Sequence, residues 1–258
     1  MLQDAGVSAL FLPPTLYEPA QAAQDPATPG AGPTASCSSS GDGATAAAAS
    51  DSRMVVGAAA AGQQRAPGAH DTYVVPERLQ RPLCGGRRPH FFRGVATVVA
   101  KLFNITQPDV AVFGRKDYQQ LVVIRAMVRD LDFAVRIVAG DTAREADGLA
   151  TSSRNARLSH AARSAAPCIH AAMERARETA ADALRAGRLQ RDSIDALLEG
   201  VRSDVAGGGG DVEYAQLVDA ETLEDVDDWH GQAAVLAVAA WWEGRDGAPV
   251  RLIDNLPF

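Results

Sequence analysis

The stretch VFGRKDYQQL, residues 112–121, runs from apolar residues into a glycine, two cations, one carboxylate and two adjacent amides. The residues just before it, 109–113, are predicted to form a short buried strand, and those after it place apolar side chains at helical spacing. A strand that passes directly into a helix is typical of α/β folds, in which ligands bind at the carboxyl ends of parallel strands. The stretch therefore predicts both a fold class and the place of a ligand site.

Periodic segments on both sides of this stretch complete a β-α-β order. Residues 94–106 predict a helix that closes before Pro108, and residues 133–138 predict a second strand. Asp117 is the predicted N-cap of the helix between the strands. That helix carries its apolar stripe at Leu121, Ile124, Val128 and Leu131. The order predicts parallel strands joined by a crossover helix, half of a doubly wound sheet.

Beyond residue 155 the pattern predicts a small α+β domain. Ser159 is expected to cap a long Ala-rich helix, with a kink or a break at Pro167. Residues 192–204 predict another helix, and the four glycines at 207–210 predict a flexible turn. Three further runs are expected to form a small mixed sheet: residues 212–219, 233–242 and 250–255.

The first part of the chain has a different composition. Residues 7–12 predict a strand that is stopped by Pro13 and Pro14. Residues from about 20 to 71 are mostly Ala, Gly, Ser, Pro and Gln, and such a segment cannot bury enough apolar surface to offset its ordering entropy. We therefore expect a partial nucleotide-binding domain at 1–155 with a disordered insertion at about 20–71, and a C-terminal α+β lid domain at 156–258.

Composition and charge limit the class of protein. The 258 residues carry a net charge of -7, which argues against a nucleic-acid or anionic-membrane surface because those partners need a concentrated basic face. The three cysteines lack CxxC spacing, so neither a disulfide framework nor a thiolate metal site is predicted. There is no signal-peptide pattern and no apolar run of bilayer length, which favours a cytoplasmic protein. The acidic run at 219–229 is expected to be solvated surface.

Two polar motifs have the chemistry to hold an anion. Gly114 allows a ligand to approach the main chain, N–H groups near Asp117 face out of a helix N-terminus, and Lys116 adds a mobile positive charge. The alternative is an ordinary polar turn that Asp117 caps. The second motif is SSRN at 152–155, whose two hydroxyls and guanidinium can surround phosphate oxygens. Its alternative is a cap at the start of a helix.

Longer runs of the sequence resemble a known family. These are FRGVATVVAKLFNITQPDVAVFGRKDYQQLVVIRAMVRDL at 92–131, READGLATSSRN at 144–155 and RLIDN at 251–255. In this order they resemble the pantothenate synthetases, ATP-dependent pantoate–beta-alanine ligases, over roughly residues 7–18 and 73–255. The resemblance implies a Rossmann-like, nucleotidyltransferase-type fold and a reaction in two steps. Pantoate carboxylate attacks the α-phosphorus of ATP to give pantoyl adenylate and pyrophosphate, and the amine of beta-alanine then displaces AMP.

The resemblance also implies residue roles. Lys116, Ser152 and Arg154 would be catalytic, and Gln120 would hydrogen-bond pantoate. The residues implied to line the ATP site are Gly114, Lys116, Asp117, Ala143, Ser152, Ser153 and Arg154. No side chain serves as a covalent nucleophile, so catalysis would rest on positioning and charge stabilisation. ATP and Mg²⁺ would be the cofactors, pantoate and beta-alanine the small-molecule partners, and a homodimer the possible assembly, with no nucleic acid, membrane or protein-built metal site.

The sequence departs from the family pattern in several places. No HxGH pair is present, although two histidines of that motif meet ATP in the family. We therefore expect a truncated doubly wound sheet from a shortened reading frame, with an unpaired apolar edge on the strand at 109–113; a non-catalytic nucleotide-binding remnant and an unstable fragment are the alternatives. Phe91 replaces a usual histidine, and Arg115 replaces a glutamate and either strengthens anion binding or faces solvent. Residues 241–249 are expected to lengthen a hairpin.

Overall fold

The computed structural model describes residues 71–185, 187 and 189–258. The strand expected at 7–12 and the disordered insertion expected at about 20–71 lie outside the described residues. In chain order the elements are α1 (Cys84–Arg87), α2 (Phe91–Thr106), β1 (Val110–Gly114), α3 (Tyr118–Asp130), β2 (Arg136–Gly140), α4 (His160–Ala165), α5 (Cys168–Arg185), β3 (Leu189–Gln190), α6 (Arg191–Gly207), β4 (Asp211–Asp219), β5 (Asp228–Trp229), β6 (Ala234–Glu243) and β7 (Pro249–Pro257). Residues Thr72–Phe258 form one compact unit, and the boundary near residue 155 stays a prediction.

The parallel β-α-β unit of the prediction is present. β1 and β2 pair in parallel, and α3 lies between them in the chain. The second strand, however, starts at Arg136 and not at residue 133. The main-chain N–H of Phe133 donates to the carbonyl oxygen of Val128, so the chain is still turning out of α3 there. Pairing with β1 then carries the strand on to Gly140.

The entry into α3 differs from the predicted cap. Asp117 occupies the N-cap position, but its side chain makes no capping hydrogen bond. A single 3₁₀ turn, Arg115–Asp117, lies between β1 and α3 instead. This turn tightens the chain between strand and helix and places Lys116 at the corner. α2 likewise begins earlier than predicted, at Phe91.

The C-terminal sheet is antiparallel throughout, so the expectation of a mixed sheet is wrong. Its strand order is β4-β6-β7, and β6 and β7 are joined by the short turn between Glu243 and Pro249. A turn of this length can connect only antiparallel strands, because a parallel pair needs a crossover. Residues 241–249 lie in this hairpin, and the prediction that they lengthen it stays a prediction. Before β4, a Cβ at Gly210 would stand 2.7 Å from the Trp242 ring, so close helix–sheet packing requires glycine there.

The helices of this region follow the prediction closely. Ser159 caps α4, its hydroxyl accepting from the main-chain N–H of Ala162 at 3.2 Å. The Ala-rich segment breaks at Pro167, between α4 and α5. α5 and α6 pack their apolar faces against the antiparallel sheet. The deepest side chains of this core include Ile169, Met173, Ile194, Val201, Leu217 and Leu236.

A second core lies under the parallel strands, between α2 and α3. Phe103 contacts the rings of Phe113 and Phe133 edge to face, and Ile124 is fully buried among them. A third, smaller cluster around Leu83 and Leu223 joins the region before α1 to the antiparallel sheet. The corner after β1 is therefore anchored from both sides by packed apolar residues.

One face of β1 carries exposed apolar side chains. Val110 is 42% exposed and Val112 is 67% exposed. Within the described residues β1 pairs with β2 only. The expectation of a truncated doubly wound sheet stays a prediction. None of the described helices is long and apolar enough to cross a membrane.

Candidate phosphate-binding site

The candidate site begins where the two parallel strands end. Gly114 and Gly140 pair at the carboxyl ends of β1 and β2. The backbone of Gly114 is extended, with φ at -70°, and a Cβ at this position would have no neighbour within 4 Å. Neither conformation nor protein neighbours in the described chain require a glycine here. The space above the strand end is open, as a ligand that approaches the main chain would need.

Lys116 projects a cation at this corner. The side chain is partly buried, and within the described residues its ammonium has no hydrogen bond or ion pair. Burial is the main cause that lowers the pKa of Lys116; Asp117 and Asp254 oppose this shift, and the nearby charge of Arg154 adds to it. The net shift shows that burial disfavours the charged form of Lys116 more than the two carboxylates favour it, so a bound anion would stabilise the cation.

The SSRN motif forms a cap, as one interpretation predicts, and still leaves groups that could bind an anion, as the other predicts. The hydroxyl of Ser152 accepts from the main-chain N–H of Arg154 at 3.2 Å and so caps the 3₁₀ turn Ser153–Arg157. That hydroxyl still keeps its own hydrogen to donate, and Ser153 is exposed beside it. The Arg154 guanidinium donates to the carbonyl oxygen of Arg251 at 3.3 Å. It has no carboxylate partner in the part of the chain that the structure describes.

A small cavity brings the two motifs together. It measures about 10 Å³, room for one water molecule, and Lys116, Ser152, Asn155 and Asp254 contribute to its lining. The side-chain amide of Asn155 donates to Glu145 at 2.7 Å, whereas its Oδ1 is buried without a partner among the described residues. Asn155 completes the SSRN motif, but nothing in the motif indicates a buried side-chain carbonyl, because that burial arises only from the complete fold.

The two adjacent amides after the corner have different environments. Gln119 is buried, and its Oε1 accepts from the main-chain N–H of Cys84 at 3.1 Å. Its Nε2 donates to the carbonyl oxygens of Leu79 and Pro82 at 2.9 and 2.7 Å. Gln120 is only partly buried, and its side chain makes no hydrogen bond within the described residues. Gln119 therefore fastens the preceding segment, while Gln120 remains available to a ligand.

The loop after β2 folds back over the site. Arg144 donates to both oxygens of Asp254, at 2.6 and 3.1 Å. The carbonyl oxygen of Ala143, an expected ATP-site residue, accepts from the main-chain N–H of Thr151 at 2.8 Å. Ala143 itself is exposed. This pairing holds the loop against the residues that lead into Ser152.

The structure resolves two of the sequence departures. Arg115 forms an ion pair with Asp141 at 3.3 Å, and both side chains are exposed to solvent. Phe91 provides a ring face for Arg88, whose guanidinium carbon lies 3.8 Å from the ring centroid. Desolvation by burial, followed by the charge of Arg251, lowers the pKa of Arg88.

A buried network beside the site had no signal in the sequence. Arg251 donates to both oxygens of Glu213, at 2.9 and 3.0 Å, and to the Cys84 sulfur at 3.4 Å. The Cys84 sulfur also lies 3.1 Å from the hydroxyl of Tyr214. Burial raises the pKa of Tyr214, and the hydrogen bond from Arg251 lowers the pKa of Glu213. The carbonyl oxygen of Arg251 also accepts the hydrogen bond from Arg154, so this network helps to hold the Arg154 side chain in place.

The larger pockets of the described structure contain none of the expected site residues. An open groove of about 630 Å³ between α5 and α6 contains none of the expected site residues. Among the residues described, no group of three His, Cys, Asp or Glu side chains is placed to hold a metal ion. Lys116 and Arg154, which form no ion pair among the described residues, lie within electrostatic range of each other, and Lys116 and Ser152 line the small cavity.

Comparison with known proteins identifies the family. The family model for pantoate-beta-alanine ligase matches residues 1–257. The chain belongs to the pantoate-beta-alanine ligase family. One curated relative, the pantoate–beta-alanine ligase of Lotus japonicus, is 45% identical over 193 residues, which cover 75% of this chain and 58% of the relative.

Solved structures of pantoate-beta-alanine ligases agree with this assignment. The pantothenate synthetase of Thermus thermophilus has a TM-score of 0.64 and 41% identity, covering 74% of this chain and 64% of that one. The ligase of Francisella tularensis, complexed with beta-gamma ATP and beta-alanine, has a TM-score of 0.52 and 28% identity, covering 74% of this chain and 59% of that one. The chain thus spans less than two thirds of the length of these relatives. The fold is a mixed α/β fold, as predicted.

Proposed function

We propose that this chain condenses pantoate with beta-alanine in an ATP-dependent reaction, through a pantoyl adenylate. The observation that carries the proposal is that Lys116, just after β1, lines a small cavity together with Ser152 and lies within electrostatic range of Arg154. Neither cation has a carboxylate partner within the described residues. Two cations without ion pairs and a hydroxyl donor suit the oxygens of a polyphosphate.

In the first step pantoate carboxylate attacks the α-phosphorus of ATP, and the bond to pyrophosphate breaks. Lys116 stabilises the charge that develops on the phosphate oxygens, and Arg154, with the hydroxyls of Ser152 and Ser153, binds the leaving pyrophosphate. Gly114, Asp117 and Ala143 line the nucleotide side of the site. These residues act by position and charge, since none forms a covalent bond to the substrate.

In the second step the amine of beta-alanine attacks the acyl carbon, AMP departs, and the amine proton is released. Gln120 holds pantoate, because its amide is the one that the protein leaves unbonded, whereas Gln119 is fully used. The structure of the Francisella tularensis ligase with beta-gamma ATP and beta-alanine supports this choice of substrates.

Mg²⁺ fits this site as a partner of the nucleotide. The described residues offer no cluster of three metal-binding side chains, and Mg²⁺ in such enzymes is held largely by phosphate oxygens and water. The ion would neutralise charge on the phosphates.

We also propose that β1 and β2 belong to a doubly wound sheet, with residues 156–258 as a lid. The enzyme is proposed to be cytoplasmic and homodimeric.

A second candidate function is nucleotide binding without catalysis. One observation favours it: the 258 residues contain no HxGH pair, the motif whose histidines are expected to meet ATP. A protein of this kind would bind ATP at the same corner. It would not form the adenylate.

The two candidates are separated by a turnover assay. The purified chain is incubated with ATP, Mg²⁺, pantoate and beta-alanine, and AMP and pantothenate are measured, with each substrate omitted in turn. Release of AMP and pantothenate in equal amounts, dependent on both organic substrates, supports the ligase. ATP binding by a folded chain without product supports the second candidate.

A further inference from the structure

The last strand of the chain contacts the phosphate corner directly. The side chain of Asn255, on β7, is buried and carries two N–H hydrogens. Its Nδ2 donates to the carbonyl oxygen of Arg115 at 2.9 Å and to that of Lys116 at 2.8 Å. Both donors of one amide therefore bind two consecutive carbonyls of the 3₁₀ turn that presents the Lys116 ammonium.

Asn255 is itself held in place. Its main-chain N–H donates to Oδ1 of Asp254 at 2.9 Å, and the Asp254 carboxylate is bound by Arg144. Neighbouring residues on both sides pair with β6, which fixes the strand direction. The amide that reaches the corner thus extends from a rigid strand and has little freedom to follow a displaced turn.

The same strand contacts the other half of the site. The carbonyl oxygen of Arg251, four residues before Asn255, accepts from the Arg154 guanidinium at 3.3 Å. β7 therefore touches both the Lys116 turn and the arginine of the SSRN motif. A shift of either group by about 1 Å would spoil its alignment with a phosphate oxygen, and such misalignment costs catalysis far more than stability.

We propose that Asn255 is a positioning residue of the phosphate site, which acts through Lys116 by fixing the two carbonyls of its turn. The inference rests on the proposed ATP site, and it assigns a role in phosphate binding to a residue that lies on the last strand. Asn255 does not touch the phosphates itself. Its contribution exists only while the Lys116 ammonium is present.

The test is a double-mutant cycle on ATP affinity. Mg-ATP binding is measured by calorimetry for the full chain and for Asn255→Ala, Lys116→Ala and the double variant, well below each melting temperature. We expect Asn255→Ala to weaken binding roughly 10- to 100-fold, since two hydrogen bonds to the turn are lost. In the Lys116→Ala background the same change should weaken binding by less than about 2-fold.

A neighbouring variant separates positioning from stability. Leu256→Val removes buried volume from the same strand, contacts neither carbonyl, and should lower the melting temperature while leaving ATP affinity within about 2-fold. Unchanged affinity in Asn255→Ala, or an equal loss in both Lys116 backgrounds, would overturn the inference while the ATP site stands. Absence of ATP binding by the folded unsubstituted chain would instead refute the proposed site, and the inference with it.

Discussion

Arg144 and Asp254 form a two-point ion pair, with Nη1 of Arg144 2.6 Å from Oδ2 of Asp254 and Nη2 3.1 Å from Oδ1. The Asp254 side chain is 3% exposed and that of Arg144 is 20% exposed. This pair joins the loop after β2 to β7, next to the residue that contacts the Lys116 turn. Breaking it should therefore affect both the stability of the protein and the order of the loop.

Asp254→Asn should lower the free energy of unfolding by about 3 kcal/mol, because it leaves the largely buried Arg144 guanidinium without its counter-charge. Chemical denaturation at neutral pH measures the change. Asp204→Asn is the control, since Asp204 is 44% exposed and its pair with Arg175 should contribute less than about 1 kcal/mol. Equal losses in the two variants would contradict the importance of the buried pair.

The two adjacent glutamines should respond oppositely to substitution. Gln119→Ala removes three hydrogen bonds and leaves two partly buried main-chain groups, the Cys84 N–H and the Leu79 carbonyl, without partners, so it should cost about 2–3 kcal/mol of stability. Gln120→Ala should leave the melting temperature nearly unchanged but raise the KM for pantoate about 10-fold or more. Thermal denaturation and steady-state kinetics on both variants check this. A stability loss in Gln120→Ala that matches Gln119→Ala would refute the assignment.

Substitution of the two neighbouring cations, Lys116 and Arg115, should have very different effects on the use of ATP. Lys116→Ala should reduce kcat/KM for ATP about 10²- to 10³-fold, the usual cost of removing one transition-state donor. Arg115→Ala, which removes the cation that pairs with Asp141 in solvent, should change it less than about 3-fold. Because burial lowers the pKa of Lys116, ATP affinity should also decline at a lower alkaline pH than an ordinary lysine would give. If Arg115→Ala is the more damaging change, the phosphate site is misplaced.

The buried pair between Glu213 and Arg251 predicts a pH dependence of stability. Hydrogen bonding to Arg251 lowers the pKa of Glu213 in the folded protein from its ordinary value of 4.5. The stabilisation is therefore fully present above about pH 4.5 and is lost as the pH falls through the lowered folded value.

Glu213→Gln should accordingly be less stable than the unsubstituted chain by about 2 kcal/mol at pH 7, because the charge-assisted hydrogen bonds are lost. The gap should narrow as the pH is lowered below 4.5. Melting temperatures of both proteins across this range measure the gap. A gap that stays constant down to the lowest pH would mean that Glu213 has the same pKa in the folded and unfolded states.

Local sequence patterns predicted the elements that depend on local physics. The helices, the Ser159 cap and the break at Pro167 follow from periodicity and turn chemistry within a few residues. The errors arose where distant partners decide. The start of the second strand was predicted too early, because the main-chain N–H of Phe133 still bonds to Val128 at the end of α3. A mixed sheet was expected because the sequence of one strand does not reveal whether it pairs in parallel or antiparallel.

The candidate site shows the same division. Lys116 and the SSRN motif stand out by composition, and the structure places Lys116 and Ser152 around one cavity. The contacts that hold these residues in place could not be predicted from the sequence. Asn255 lies 139 positions from Lys116, and Arg251 lies 167 positions from Cys84. Contacts over such separations depend on the completed fold. No spacing rule within one segment encodes them.

The central claim is that this chain forms pantoyl adenylate at the Lys116 corner. Its most direct test is exchange of labelled pyrophosphate into ATP by the purified, folded chain, with Mg²⁺ and pantoate present and beta-alanine absent. We expect exchange that depends on pantoate and falls about 10²-fold or more in Lys116→Ala. No pantoate-dependent exchange, or exchange that Lys116→Ala leaves intact, would contradict it.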